Sequence, residues 1–580
     1  MRLKSFVLIA AFLLIAAWAV AEEAPVMGPD SLYLHSIPVL EGEAAYDYAV
    51  AASTLQGVIN RDGPKLYLRS PWSHLPDYWL GIFTKPGQWL SEREQRALQT
   101  LGDIRALAGD RVKGAVVWDP AVPATVNVAT TIAGVEDAVV LSPTLADQYL
   151  KDWKLPVIVD LRGKFDGSVS GSAKNDAYRW AVAEYLEKGR CSSEILCLFE
   201  DAWTARERGD TLYAVTRDWA VKRRAFVFDL SPWADEVPAD DPGQPLGTDK
   251  ATYEQILQAV YAQAAGKHMT ELAGFFAFPK YSNVPGHASR HEPVPTEWET
   301  VYLISPCNGY QNTIAHACYN QSLHAHAPVG KLKQGRPEVD ARVENKVYLC
   351  FLMADYDSAT PLYEFLPKHW DDPARGSLPL AWGINPNLME PYPDVFAHLY
   401  ATATPNDVFV SDASAAGYMN PNRIRPEHLD LFVRHNKRHF ERADMSIAPM
   451  VLDWDAPTAA VKDAFVQFAP DGFSTIVLDF HEQGGKAPET HLWKGMPVTE
   501  LLNHTCNFTS VEQSVREMDA AIGTPALDKP GFYFFRIVWV SPGTVSSIVE
   551  AYGAQHPDQA VEVLDPYNWF AKLGRYLEGK

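Results

Sequence analysis

From Lys346 onward, short apolar runs alternate with polar stretches, and each run stops at a residue able to do chemistry. Val347 to Ala354 is apolar throughout and stops at Asp355-Tyr356-Asp357. Leu378 to Ile384 stops at Asn385-Pro386, and Val408 to Val410 stops at Ser411-Asp412. Unbroken apolar runs of this length, bounded by Gly, Pro or Asp, predict strands buried on both faces. The same pattern predicts strands over 347–354, 379–383, 407–411, 447–453, 475–479, 497–501, 532–540 and 561–564. Thr458 to Phe468 and Val511 to Ala521 are helical connectors. Seven or eight strand–helix units in about 235 residues match a (β/α) barrel in size, with an open doubly wound sheet as the alternative.

The first half alternates in the same way. Glu43 to Asn60 predicts a helix, with Ala49, Ala52, Leu55 and Ile59 at helical spacing and Arg61-Asp62-Gly63-Pro64 to stop it. Strands are predicted at 66–68, 115–118, 139–141, 156–161, 195–198 and 226–230, and helices at 124–133, 177–188 and 253–264. Phe275 to Phe278 and Thr300 to Ser305 also read as strands. Pro232 to Gly247 reads as a loop, and Gly335 to Glu344 as a polar linker. The expected fold class is therefore α/β and multidomain, with N-terminal α/β domains followed by a C-terminal (β/α) barrel-like domain. The expected units are 22–144, 145–231, 232–340 (a third domain with its linker) and 341–580.

Residues 1–21 read as a secretory signal: Arg2 and Lys4, an apolar stretch from Phe6 to Trp18, then Ala19-Val20-Ala21 before Glu22. The expected location is secreted or periplasmic, with no membrane anchor after cleavage, since no second apolar run is long enough to span a bilayer. The formal net charge is -21 and no Lys/Arg stripe appears, which argues against nucleic acid as a partner. Among six cysteines, Cys191/Cys197 and Cys307/Cys318 are the natural local disulfide pairs, while Cys350 reads as a free core thiol. No C-x-x-C zinc pattern occurs. His324-Ala325-His326, read as a strand, is either a chelating pair or two ordinary hydrogen-bonded histidines. No metal and no cofactor is assigned. The absence of G-x-S-x-G, Walker, H-E-x-x-H and strand-linked G-x-G-x-x-G motifs demotes serine hydrolases, NTPases, zincins and dinucleotide enzymes.

The strand ends carry the candidate chemistry. Acid–base cleavage by a carboxyl pair needs one protonated and one ionised carboxyl, and crowded carboxylates supply such a pair by raising some of one another's pKa values. The catalytic candidates are Asp355, Asp357, Asp479 and Glu482, the last two flanking His481. On a continuing strand Asp355 and Asp357 share a face; the alternative for Asp357 is a helix cap. Trp382, Asn385, Asp412, Tyr418, Asp453 and Arg536 are the candidate substrate contacts. Seventeen Trp and 25 Tyr suit sugar rings but also fill cores.

The segment Ala415-Ala416-Gly417-Tyr418-Met419-Asn420-Pro421 is similar to the signature of the GxGYxYP putative glycoside hydrolase family of secreted bacterial proteins. Gly417, Tyr418 and Pro421 match; Ala415 replaces the first Gly and Asn420 the second Tyr. Asp355-Tyr356-Asp357-Ser358 stands where the family has an Asp-Gly-Asp-Asn-like element, and the resemblance extends to Ala51–Asn60, Trp118–Asp137 and Leu564–Phe570. It implies an exported carbohydrate-active hydrolase. A non-catalytic glycan-binding protein and a metal-dependent carbohydrate deacetylase are the alternatives.

Overall fold

The computed structural model describes residues 31–208, 212–281, 293–314, 318–477, 485–502, 510–523 and 529–579. Residues 1–21, read above as a signal, and Asp479, His481, Glu482 and Cys506 lie outside the described residues.

Three parallel sheets form the N-terminal half. β1 (Ser31–Ser36), β2 (Leu66–Arg69) and β3 (Glu94–Leu98) pair in the order β2-β1-β3. β4 (Gly114–Val117), β5 (Ala138–Leu141) and β6 (Val157–Asp160) pair as β5-β4-β6, so this sheet runs across the boundary expected near residue 144. β7 (Ile195–Leu198), β8 (Phe226–Phe228), β9 (Thr270–Gly274) and β10 (Gly309–Asn312) pair as β10-β9-β7-β8. The helix Gly42–Ile59 is buried from Ala45 to Ile59 except at Asp47 and Tyr48, as its near-continuous Ala, Val and Leu content requires of a helix apolar on all sides.

The C-terminal half is built from β11 (Val347–Tyr356), β12 (Leu380–Ile384), β13 (Asp407–Val410), β14 (Ile447–Asp453), β15 (Gly472–Val477), β16 (His491–Trp493), β17 (Met496–Glu500), β18 (Gly531–Val538) and β19 (Val561–Val563). One sheet runs β13-β12-β11-β18, with β19 also on β11; the other runs β14-β15-β17-β16. All pairs are parallel except β16 with β17. Isolated backbone bonds pass between the sheets: Ser411 N–H to the Ile447 carbonyl at 3.4 Å, and Leu502 N–H to the Phe534 carbonyl at 2.9 Å.

The halves are stitched together. Gln311 of β10 exchanges backbone bonds with Tyr418 at 2.7 and 3.0 Å. Asn312 Oδ1 accepts from Ala359 N–H at 2.9 Å, and Ser358 Oγ accepts from Thr313 N–H at 3.0 Å.

Four expectations change. The strand expected at 275–278 lies earlier, as β9, and the one expected at 300–305 is instead the helix Pro293–Ile304 followed by a 3-10 turn, Ser305–Cys307. His324 ends a short helix, Gln321–His324, with its Nδ1 on Asp394 Oδ2 at 2.7 Å, while His326 Nε2 meets the Asn60 carbonyl at 2.6 Å; the two rings serve separate partners rather than one ion. The five described cysteines are buried free thiols. Cys307 accepts from Gln258 and Cys318 faces Thr360, so the expected partners sit in different surroundings.

Candidate active site

β11 and β18 lie side by side, with Ala354 opposite Val538, so Asp355 and Trp539 emerge from adjacent carboxyl ends. The β11–β12 register slips between Met353 and Tyr356, and Asp355 takes a left-handed φ of 66°. Such a bulge re-aims a side chain. The Asp355 carboxylate meets Arg536 of β18, whose Nη2 donates to Oδ1 at 2.6 Å and Oδ2 at 2.7 Å. Asp355 remains 25% exposed and Arg536 16%, so the ion pair forms part of a surface rather than of the core.

Asp412 lies beneath, fully buried after β13. Its Oδ2 accepts from Asp355 N–H at 2.7 Å and Tyr356 N–H at 3.2 Å, and its own N–H donates to Asn385 Oδ1 at 2.8 Å. Gly383 makes room for it: a Cβ there would stand 2.7 Å from Asp412 Oδ2. Among the described residues, Asp412 Oδ1 and the Tyr418 hydroxyl are buried without a hydrogen-bond partner. Burial, followed by the Asp355 charge, holds the Asp412 carboxyl well above the usual carboxylate range.

Asp357, partly exposed, is held well above its usual range by burial and then by the negative charges of Asp412, Glu297 and Asp355, against the opposing pull of Arg536. Glu297, which sequence reasoning missed, comes from the helix Pro293–Ile304. Its Oε1 accepts from Thr313 Oγ1 at 2.8 Å, and burial, eased by that bond and reinforced by the Asp355 charge, pushes its carboxyl up to about 7. A helical reading of 293–304 would have revealed it, because Glu297 stands one turn before Val301, which faces the core. The fields of Glu297 and Asp357 also act on the buried Tyr418, pushing its phenol up, after burial itself.

The structure thus brings together Asp355, Asp357, Asp412, Tyr418, Arg536 and Glu297. Of the six expected substrate contacts, Asp412 and Tyr418 are buried within this cluster, and Trp382, Asn385 and Asp453 are buried apart from it. Trp382 is fully buried, stacked edge-on against Trp370 and donating to Asp407 Oδ1 at 2.8 Å. Asn385 is a fully buried strut between Asp412 and the Ala413 carbonyl. Asp453 is 3% exposed and accepts from Asn422 N–H at 2.9 Å and Trp454 N–H at 2.7 Å. Asn420, with its amide nitrogen turned toward Asp453, donates to both carboxylate oxygens at 2.7 and 2.6 Å. Burial nonetheless pushes the Asp453 carboxyl up to about 6. Among the described residues, no three His, Cys, Asp or Glu side chains are grouped to hold a metal ion.

A multidomain α/β protein with a carboxyl cluster at the ends of parallel strands is a class that includes many hydrolases. Residues 345–573 match the family described as "GxGYxYP putative glycoside hydrolase C-terminal domain", and residues 112–189 match "GxGYxYP_N second domain". The chain belongs to the GxGYxYP family of putative glycoside hydrolases. Its fold is similar to a crystal structure described as a putative hydrolase from Bacteroides thetaiotaomicron VPI-5482, with a TM-score of 0.70 and 17% identity over 94% of this chain and 95% of that one. No curated protein matches the chain. No described helix is long and apolar enough to cross a membrane.

Proposed function

We propose that this protein is an exported glycoside hydrolase that cleaves a glycan with paired carboxyl groups in its C-terminal half. The observation that carries the reading is the split within one cluster. Asp355 is ion-paired with Arg536, whereas burial and acidic neighbours push the Asp357 carboxyl up. Asp357 is the general acid that protonates the glycosidic oxygen. Asp355 is the ionised partner, serving as nucleophile or as base for water. Asp412, buried and bonded to the Asp355 backbone, fixes that residue's position. The bonds Ser411–Ile447 and Leu502–Phe534 support closure of β11-β12-β13-β14-β15-β17-β18 into a barrel, with the cluster at the carboxyl ends of its strands. Asp479 and Glu482, beyond the end of β15, are further candidates for the same rim. The A-x-A signal and the family's substrate class support export and a carbohydrate partner.

The test is turnover of a broad glycan panel by the purified mature protein. Asp357→Asn replaces the carboxyl by an amide of the same shape that cannot donate an acidic proton, so it should lower turnover by about 10³-fold with little change in melting temperature. Full activity in this variant would remove Asp357 from the mechanism. Glycan binding by wild type without any turnover would favour a non-catalytic glycan-binding protein, and loss of turnover with a chelator would favour a metal-dependent deacetylase.

A further inference from the structure

Trp539 follows directly on β18, at the rim of the acidic cluster. Among the described residues, the large apolar side chains left exposed are aliphatic, except Trp539 at 42%. The side chain is nevertheless fixed. Its indole N–H donates to the Asp355 carbonyl at 3.0 Å. Its ring meets Phe365 edge-on, centroids 4.7 Å apart. Its backbone is hydrogen-bonded by the His369 imidazole, whose Nδ1 meets the Tyr356 hydroxyl at 2.7 Å. The residue also takes a left-handed φ of 52°, a strained conformation for a bulky side chain that persists where surrounding contacts enforce it. A rigid indole with one open face, tied to the backbone of Asp355, is preorganised to receive a flat apolar surface.

We propose that the open face of Trp539 is the platform on which a neutral pyranose unit of the glycan stacks, beside Asp355. This rests on the glycoside hydrolase reading. The axial C–H face of a pyranose ring matches an indole in size and polarity. The negative charge of Asp355 opposes a uronate ring at the same place. Trp539 thereby positions the sugar whose linkage lies over the carboxyl pair, and it takes no part in bond breaking.

Binding is measured by calorimetry on the full-length mature Asp357→Asn protein, which preserves bound substrate. The probes are cellotetraose, xylotetraose, mannotetraose and maltotetraose, with tetragalacturonate as the anionic comparison. At least one neutral tetrasaccharide should bind. Trp539→Ala should weaken that binding about tenfold, and Trp539→Phe should restore most of it, at an unchanged melting temperature. In the otherwise wild-type enzyme, Trp539→Ala should raise KM more than it lowers kcat. Undiminished binding by Trp539→Ala would overturn the platform while leaving the hydrolase reading intact. Tighter binding of tetragalacturonate, or no binding of any neutral tetrasaccharide, would also overturn it. Binding that depends on Trp539 without turnover by wild type would support the platform and sink the hydrolase reading instead. Should the Ala variant fail to fold, Leu and Phe at 539 decide: equal binding by the two would overturn stacking.

Discussion

Arg536 and Glu297 are the residues whose environments make the clearest predictions. Arg536→Gln removes the charge facing Asp355 but keeps most of the volume. It should cost about 1–3 kcal/mol of stability, read from a urea midpoint, because Asp355 is left half-enclosed without its cation. It should also lower kcat by about 10²-fold or more. For Glu297 the sign follows from its raised carboxyl. Between the ordinary glutamic acid range and about pH 7 the folded protein holds a proton that the unfolded chain releases, so this residue's contribution to stability falls as pH rises through that window. Glu297→Gln carries no such term. The melting temperature of wild type minus that of Glu297→Gln should therefore drop steadily from pH 5 to pH 8 and level off above. A flat difference would mean that Glu297 ionises freely. Asp355 and Asp357 could be picked out from the sequence because an apolar run announces a strand end. Their surroundings could not, since Asp412, Arg536 and Glu297 are brought in from three other elements.

At the level of elements, two glycines hold the site open. Gly417 has a φ of +104°, and a Cβ there would come within 2.2 Å of the Tyr310 ring. Gly417→Ala should cost roughly 2–5 kcal/mol, as strain and overpacking together, and should displace Tyr418. Gly383→Ala should be milder in urea, at about 1–3 kcal/mol, yet more damaging to turnover, because the methyl group would push Asp412 out from under Asp355. The same comparison shows why some elements are readable and others are not. β11, β13 and β14 occupy nearly the residues expected, because runs such as Val347 to Ala354 are apolar on both faces and stop sharply at a polar residue. Val301-Tyr302-Leu303-Ile304 looks like a strand by composition, but it is the last turn of a helix that begins at Pro293, with Val301 and Ile304 both turned to the core at helical spacing. Losing that helix meant losing Glu297. The register slip between Met353 and Tyr356, with a positive φ at Asp355, was not legible either, because local propensity carries no trace of a bulge.

On the scale of the whole molecule, the site belongs to both halves of the chain. Trp79 donates to the Tyr363 carbonyl at 3.0 Å, Tyr392 donates to the Tyr319 carbonyl at 3.1 Å, and β10 clasps the loop carrying Tyr418. Limited proteolysis is expected to cut in the irregular stretch near Gly335, and the two fragments should still elute together and keep most activity until denaturant separates them. Fragments that part in native buffer would mean that each half stands alone. The buried, unpaired cysteines have a practical consequence of their own. Cys197, Cys318 and Cys350 are fully buried, and Cys191 and Cys307 are 6% exposed, so a thiol-alkylating reagent meets them only when the chain opens. The protein thus carries its own clock of opening, readable by mass spectrometry, with Cys350 in β11 timing one half of the chain and Cys197 in β7 the other. In native buffer both should be modified at one slow, shared rate if the molecule unfolds as a unit; a faster rate at either would identify the half that opens first.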